Sequence, residues 1–162
     1  MLASAVGAGL LAGLALGGDV RRLATIELRW WRLFLLAIAL RVLAVLPLGD
    51  DVQRVIYVVS LWSLFACIAL NVRLPGARLA GLGVGLNAAA VSLAGGAMPV
   101  SPDAVVAAGV RPPVDPLHSL TPNASLLGDI IPIPILGVYS VGDVLLAVGV
   151  FVLIVTTMRG GQ

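Results

Sequence analysis

Apolar residues in this chain run in blocks instead of alternating with polar ones. Five stretches, Leu2–Gly18, Leu33–Leu48, Val52–Val72, Ala77–Ala97 and Val138–Met158, each carry no more than one charged residue. A helix needs about 20 residues to cross the ~30 Å hydrocarbon core of a bilayer, and each stretch approaches or reaches that length. A soluble core has no use for such continuous runs. The pattern therefore predicts an all-α membrane protein, a five-helix transmembrane bundle forming a single domain over residues 1–162, with a proline-rich outer loop at 98–137. The first stretch reads as a retained helix, not a cleaved signal, because no basic residue precedes its apolar run.

The polar links between the blocks set an orientation. Asp19 to Arg32 carries Arg21, Arg22, Arg29 and Arg32, the third link carries Arg73 and Arg78, and Arg159 follows the last stretch. The second link is acidic at Asp50 and Asp51, and the long fourth link sets Asp103, Asp115 and Asp129 against Arg111 alone. By the positive-inside rule the arginine-rich ends are cytoplasmic, which puts the N-terminus outside and the C-terminus inside. Leu23, Ile26, Leu28, Trp30 and Trp31 mix with the arginines of the first link, as expected of a segment lying among anionic headgroups near Arg21, Arg22, Arg29 and Arg32.

Composition narrows the function classes. Hydrophobic residues make up 60%, charged residues 11%, and mean hydropathy is +1.09, which leaves no soluble domain to house. All ten basic residues are arginine, so a P-loop or Schiff-base lysine is excluded. The arginines sit at helix ends and form no nucleic-acid surface. Cys67 is the only cysteine and lies in an apolar run, so neither a disulfide within the chain nor a cysteine metal cluster is expected, and no metal site is assigned.

Two small-residue stripes are candidates for close helix packing: Ala5, Gly9, Gly13 and Gly17 in the first stretch, and Ala77, Gly81, Gly85 and Ala89 in the fourth. They suit either a homo-oligomer interface or packing within the chain, for instance of these two helices on each other. Eight of the ten prolines fall in the fourth link. There Ser101 followed by Pro102 and, later, Gly109 predicts a short capped helix, and Ile130 to Leu136 is too short and proline-broken to cross, so it is expected on the outer surface as a lid or skirt.

Few polar residues sit where they are expensive. Arg41 and Asn87 fall near the middle of their stretches, where a charge costs at least ~2.5 kcal/mol, so Arg41 is expected to face inward or to snorkel, with Asn87 in reach of it. Ser140 and Asp143 have capping-box spacing, and Asp50 with Gln53 reads as the cap of the third helix. Arg41, Asn87 and Asp143 are the candidate binding residues. Asp129, Asp143 and His118 are weaker candidates for acid–base chemistry on the outer side, with no fixed spacing to link them. Asn123-Ala124-Ser125 is a glycosylation sequon without a known secretory context.

The segments Gly85-Leu86-Asn87, Gly95-Gly96-Ala97-Met98-Pro99-Val100-Ser101, Leu127-Gly128-Asp129-Ile130-Ile131-Pro132 and Tyr139-Ser140-Val141-Gly142-Asp143-Val144-Leu145-Leu146 together resemble a DUF5317-like family of small bacterial membrane proteins. The resemblance runs from about Pro75 to the C-terminus. Members often carry asparagine before the paired glycines, where this chain has Ala94. The resemblance implies a multi-pass protein of the bacterial cytoplasmic membrane, supports the outer loop, and brings no activity or cofactor. Three functions are then open. The favoured one is a non-enzymatic membrane subunit or scaffold binding membrane proteins or lipid. The others are a small transporter or channel with a polar track at Arg41, Asn87 and Asp143, and an extracytoplasmic lipid-modifying enzyme using Asp129, Asp143 and His118.

Overall fold

The computed structural model describes residues 1–122, 124 and 126–160; the sequon asparagine and serine lie outside that set. The chain is mostly helical: α1 (Leu2–Ala15), a 3-10 turn (Val20–Thr25), α2 (Trp31–Ala44), α3 (Asp50–Leu70), α4 (Ala77–Leu93), α5 (Pro102–Ala108) and α6 (Val141–Arg159). Among the described residues, α3 and α6 are long and apolar enough to cross a membrane on their own. The helices α1 and α2 have 14 residues each and stop short of the ends of their apolar runs, at Ala15 and Ala44. Physical stops cut them back. Gly17 adopts φ +77°, which a right-handed helix cannot continue, and Pro47 disfavours helix in the residue before it. Gly95 and Gly96, with φ +73° and +93°, end α4 at Leu93 in the same way.

The long helices pack as a row, α2 on α3, α3 on α4, α4 on α6 and α6 on α1, and α1 and α2 at its two ends share no comparable packing. Neighbours from α2 to α6 alternate in direction, whereas α6 and α1 run parallel, and cross-links at both ends of the row show it. At one end the Met1 amine donates to the Tyr139 hydroxyl and Arg54 Nε donates to the Pro116 carbonyl. At the other, Asp19 N–H donates to the Met158 carbonyl, and Asn71, 5% exposed, accepts from Arg29 N–H while donating to the Arg29 carbonyl. Arg21, Arg22, Arg29, Arg73 and Arg159 thus share one end of the bundle, and the long loop occupies the other. Large apolar side chains stay exposed along the helix faces, including Leu35, Leu36, Val42, Val55 and Leu82. Apolar exposure of this extent marks a surface that meets lipid or another protein.

The two predicted glycine stripes do not meet. Gly9 lies against Ile154 and Gly13 against Met158, so α1 seats on α6, while Gly81 lies against Ile68 and Gly85 against Phe65, so that stripe seats α4 on α3. Gly17 touches nothing and serves the turn. The closest approach in the bundle uses other glycines. A methyl on Gly83 would overlap the Gly142 carbonyl, and one on Gly76 would overlap the Gly149 carbonyl. Backbones this close gain dispersion contacts along the whole helix pair.

The long loop holds four short strands of three residues each. β1 (Met98–Val100) pairs in parallel with β2 (His118–Leu120), and β3 (Ile131–Ile133) pairs antiparallel with β4 (Gly137–Tyr139). Pro99 lacks an N–H, so it can only accept, and its carbonyl takes the Asp129 N–H at 2.8 Å while Ser101 N–H returns to the Asp129 carbonyl at 2.9 Å. Ser101 caps α5 through the Ala104 N–H, and Gly109 closes it at φ +67°. The 130–136 run forms β3 and the turn of the β3–β4 hairpin, where Ile135 is 90% exposed.

Candidate functional site

β1 is the element that builds the site. His118 opens the strand on one of its edges and Asp129 forms a bridge to Val100 on the other, so residues distant in sequence flank one buried strand. Beneath them lies a cavity of about 340 Å³. Its wall includes Arg41 from α2, Tyr57 and Ser60 from α3, Asn87 from α4, Asp143 from α6, and His118 and Asp129 from the loop. Farther from the loop along the same helices the wall turns apolar, with Ile38, Leu64, Val84 and Leu146. Leu2 of α1 and Ala37 of α2 also line it, so the cavity lies where the two ends of the row face each other. A volume in the few-hundred Å³ range with a few convergent polar groups suits a small molecule or part of a larger one.

A closed hydrogen-bond ring fixes one side. Ser140 Oγ donates to Asn87 Oδ1 at 2.8 Å and Asn87 Nδ2 donates to Asp143 Oδ1 at 2.8 Å. The capping box completes it: Asp143 N–H donates to Ser140 Oγ at 2.9 Å and Ser140 N–H donates to Asp143 Oδ2 at 3.1 Å. Asn87 therefore joins Asp143 and Ser140 rather than Arg41, the partner expected from sequence. An Asn87→Ala variant leaves Ser140 Oγ and Asp143 Oδ1 without this partner and is expected to cost about 1–2 kcal/mol, read as a lowered detergent melting temperature. Asn87→Asp should be no better, because it sets two carboxylates side by side.

Arg41 stacks its guanidinium 4.1 Å from the centre of the Tyr57 ring and forms no salt bridge among the described residues. Tyr57 and Ser60 carry a legible signal that the sequence reading passed over. With Gln53 and Cys67 they recur at helical spacing along α3, and all four are buried. Gln53, read as a cap, instead donates to the Ala44 carbonyl at 3.0 Å and ties α3 to the end of α2, while Gly49 takes the N-cap position.

Asp129 is 8% exposed, and its Oδ1 has no hydrogen-bond partner among the described residues. Burial, with the negative charge of Asp143, pushes its pKa up to about 7. His118 turns away from it. Its Nδ1 lies 2.8 Å and 3.0 Å from the two oxygens of Asp115. Burial acts to raise the Asp115 carboxyl, but this bond, the His118 charge and the Leu117 N–H outweigh it and hold the group below its ordinary range. Among the described residues no hydrogen bond joins Asp129, Asp143 and His118 to one another, although all three line the cavity. His118 and Asp129 also line a second pocket of about 260 Å³ on the loop side, with Arg111 in its wall. No group of three metal-ligating side chains occurs among the described residues.

A family model, described as a family of unknown function (DUF5317), matches residues 25–155. The match starts well before Pro75, taking in α2 and α3, and leaves α1 outside. No curated protein and no solved structure matches the chain.

Proposed function

The chain belongs to the DUF5317 family of unknown function, and on that footing we propose that it is a multi-pass, non-enzymatic membrane protein whose cavity takes up the head of a membrane lipid. The observation that carries this reading is the graded cavity: Arg41, Asn87, Asp129 and Asp143 at the loop end, Ile38, Leu64, Val84 and Leu146 beyond them. An amphiphile has the same order of polarity. Because α1 and α2 share no packing comparable to the other neighbours, its tails have a sideways route into the bilayer between them. In this reading all five long helices cross, with the loop outside the bacterial cytoplasmic membrane and the arginine end in the cytoplasm. At ~1.5 Å per residue the 14-residue helices α1 and α2 span only about 21 Å, so Leu16, Leu46 and Leu48 extend their apolar reach or the bilayer thins around them.

Native mass spectrometry of gently extracted protein tests the lipid. One retained phospholipid per chain is expected, and a Leu146→Trp variant, which fills the cavity, should lose it. A protein partner at fixed stoichiometry with no lipid would overturn the reading. Cysteine labelling in a Cys67→Ala background tests the crossings: Asp103→Cys should react with an impermeant maleimide from outside and Arg73→Cys only after the membrane is opened.

One observation favours a second reading, a small transporter. His118 and Asp129 form the common wall of the inner cavity and the loop-side pocket, as a gate between vestibules would. That reading requires solute or proton uptake into proteoliposomes that Asp129→Asn abolishes.

A further inference from the structure

We infer that the lipid head bound in this cavity is zwitterionic, with its phosphate on Arg41 and its amine on Asp129, as in an aminophospholipid. The inference rests on the lipid-binding reading and adds the chemistry of the head. Two groups in the wall have unmet capacity, and they are opposite in kind. Arg41 forms no salt bridge among the described residues, and its ring stacking on Tyr57 leaves its N–H edge free for an anion. A planar guanidinium matches two phosphate oxygens at once. Asp129 offers a buried acceptor at Oδ1 that nothing satisfies. Such a group costs stability until a donor reaches it, and an amine supplies both N–H donors and positive charge. Asp143 is not the second pole, because Asn87 and the Ser140 N–H occupy its two oxygens.

The charges around Asp129 sharpen the choice. The same cavity wall carries Asp143 at the head of α6, Arg41 on α2, Tyr57 on α3 and His118 on β2, the last held by Asp115, and of these the charge of Asp143 acts on Asp129. With no ligand bound, Asp129 takes up its proton near pH 7. A bound amine favours the charged carboxylate, so below pH 7 binding must first release that proton. Affinity for an amine-bearing lipid therefore rises with pH up to about 7 and then levels off, whereas a hydroxyl-headed lipid gains little from the change.

Delipidated protein offered phosphatidylethanolamine, phosphatidylglycerol and phosphatidylcholine in detergent, with bound lipid counted by native mass spectrometry, tests this. At pH 8 phosphatidylethanolamine should be preferred about tenfold over phosphatidylglycerol and over phosphatidylcholine, whose quaternary nitrogen has no N–H. The preference should shrink to about twofold at pH 6. Asp129→Asn should erase it while all three lipids still bind, and Arg41→Gln should weaken all three by about tenfold. Soluble phosphoethanolamine carries the same charges without tails and should compete about 100-fold more weakly; equal competition would make the ligand a free solute and overturn the lipid source. Equal binding of all three lipids to the wild-type protein at both pH values overturns the zwitterionic head but leaves the lipid cavity standing. Absence of any bound lipid overturns both.

Discussion

A Gly142→Ala substitution is expected to lower the stability of the detergent-solubilised protein by about 3 kcal/mol, or roughly 10 °C in melting temperature. The added methyl has nowhere to go. It would overlap Asn87 Oδ1, and it would sit 2.6 Å from the Gly83 carbonyl oxygen and 2.7 Å from Asn87 Cγ. Backbone cannot step aside as a flexible side chain does, so α4 and α6 must separate or Asn87 must leave the ring with Ser140 and Asp143. Both losses fall on the wall of the cavity, so lipid retention should fall along with stability. Gly7→Ala is the control: a methyl there meets nothing within 4 Å, and little change is expected beyond a small gain in helix propensity.

The second large effect is a pH dependence of stability governed by Asp129. The unfolded carboxyl titrates near ~3.9, and the folded one at about 7. Between those values the folded protein holds a proton that the unfolded chain has released. Stability therefore falls as pH rises through that window and levels off above about 7. From pH 5 to pH 8 the loss should be about 2–3 kcal/mol, each pH unit below 7 being worth ~1.4 kcal/mol. Asp129→Asn keeps the shape without the charge and should flatten the profile, making the variant the more stable protein at pH 8. The experiment needs delipidated protein, since a bound amine would offset the penalty. A wild-type profile that is flat, or that rises with pH, would mean Asp129 is paired in solution.

That the chain is mostly helical, with α3 and α6 long and apolar enough to cross a membrane, was readable because apolar blocks extend over long stretches of sequence. The same holds for local caps: Ser101, Gly109 and the Ser140–Asp143 box depend on neighbours a few residues away and were legible as such. Helix ends were less so. Gly17, Gly95 and Gly96 are apolar enough to extend a hydropathy block yet adopt positive φ and end the helix. Which stripe packs on which helix depends on the order α2–α3–α4–α6–α1, and nothing in the spacing of Gly9 and Gly13 or Gly81 and Gly85 encodes it. The short strands were not read from the sequence because three-residue segments carry no alternation and β1 is made by pairing with the distant β2; Pro99 is accommodated by acting only as an acceptor.

The candidate residues fared differently from one another. Arg41, Asn87, Asp129, Asp143 and His118 stood out as costly or unusual residues, and all five line one cavity. Their pairing was not legible, because it is set by the α4–α6 contact and the β1 bridge, both long-range. Tyr57 and Ser60 were missed although their spacing on α3 was visible, since a tyrosine and a serine in an apolar helix are cheap enough to pass as packing.

The most direct measurement is an electron cryomicroscopy map of the protein in a nanodisc containing phosphatidylethanolamine, with a bound antibody fragment to provide mass. Lipid binding requires density in the cavity with its head within hydrogen-bond distance of Arg41 and Asp129 and its tails leaving between α1 and α2. A map in which α1 packs directly on α2, enclosing a cavity that holds water alone, would contradict it.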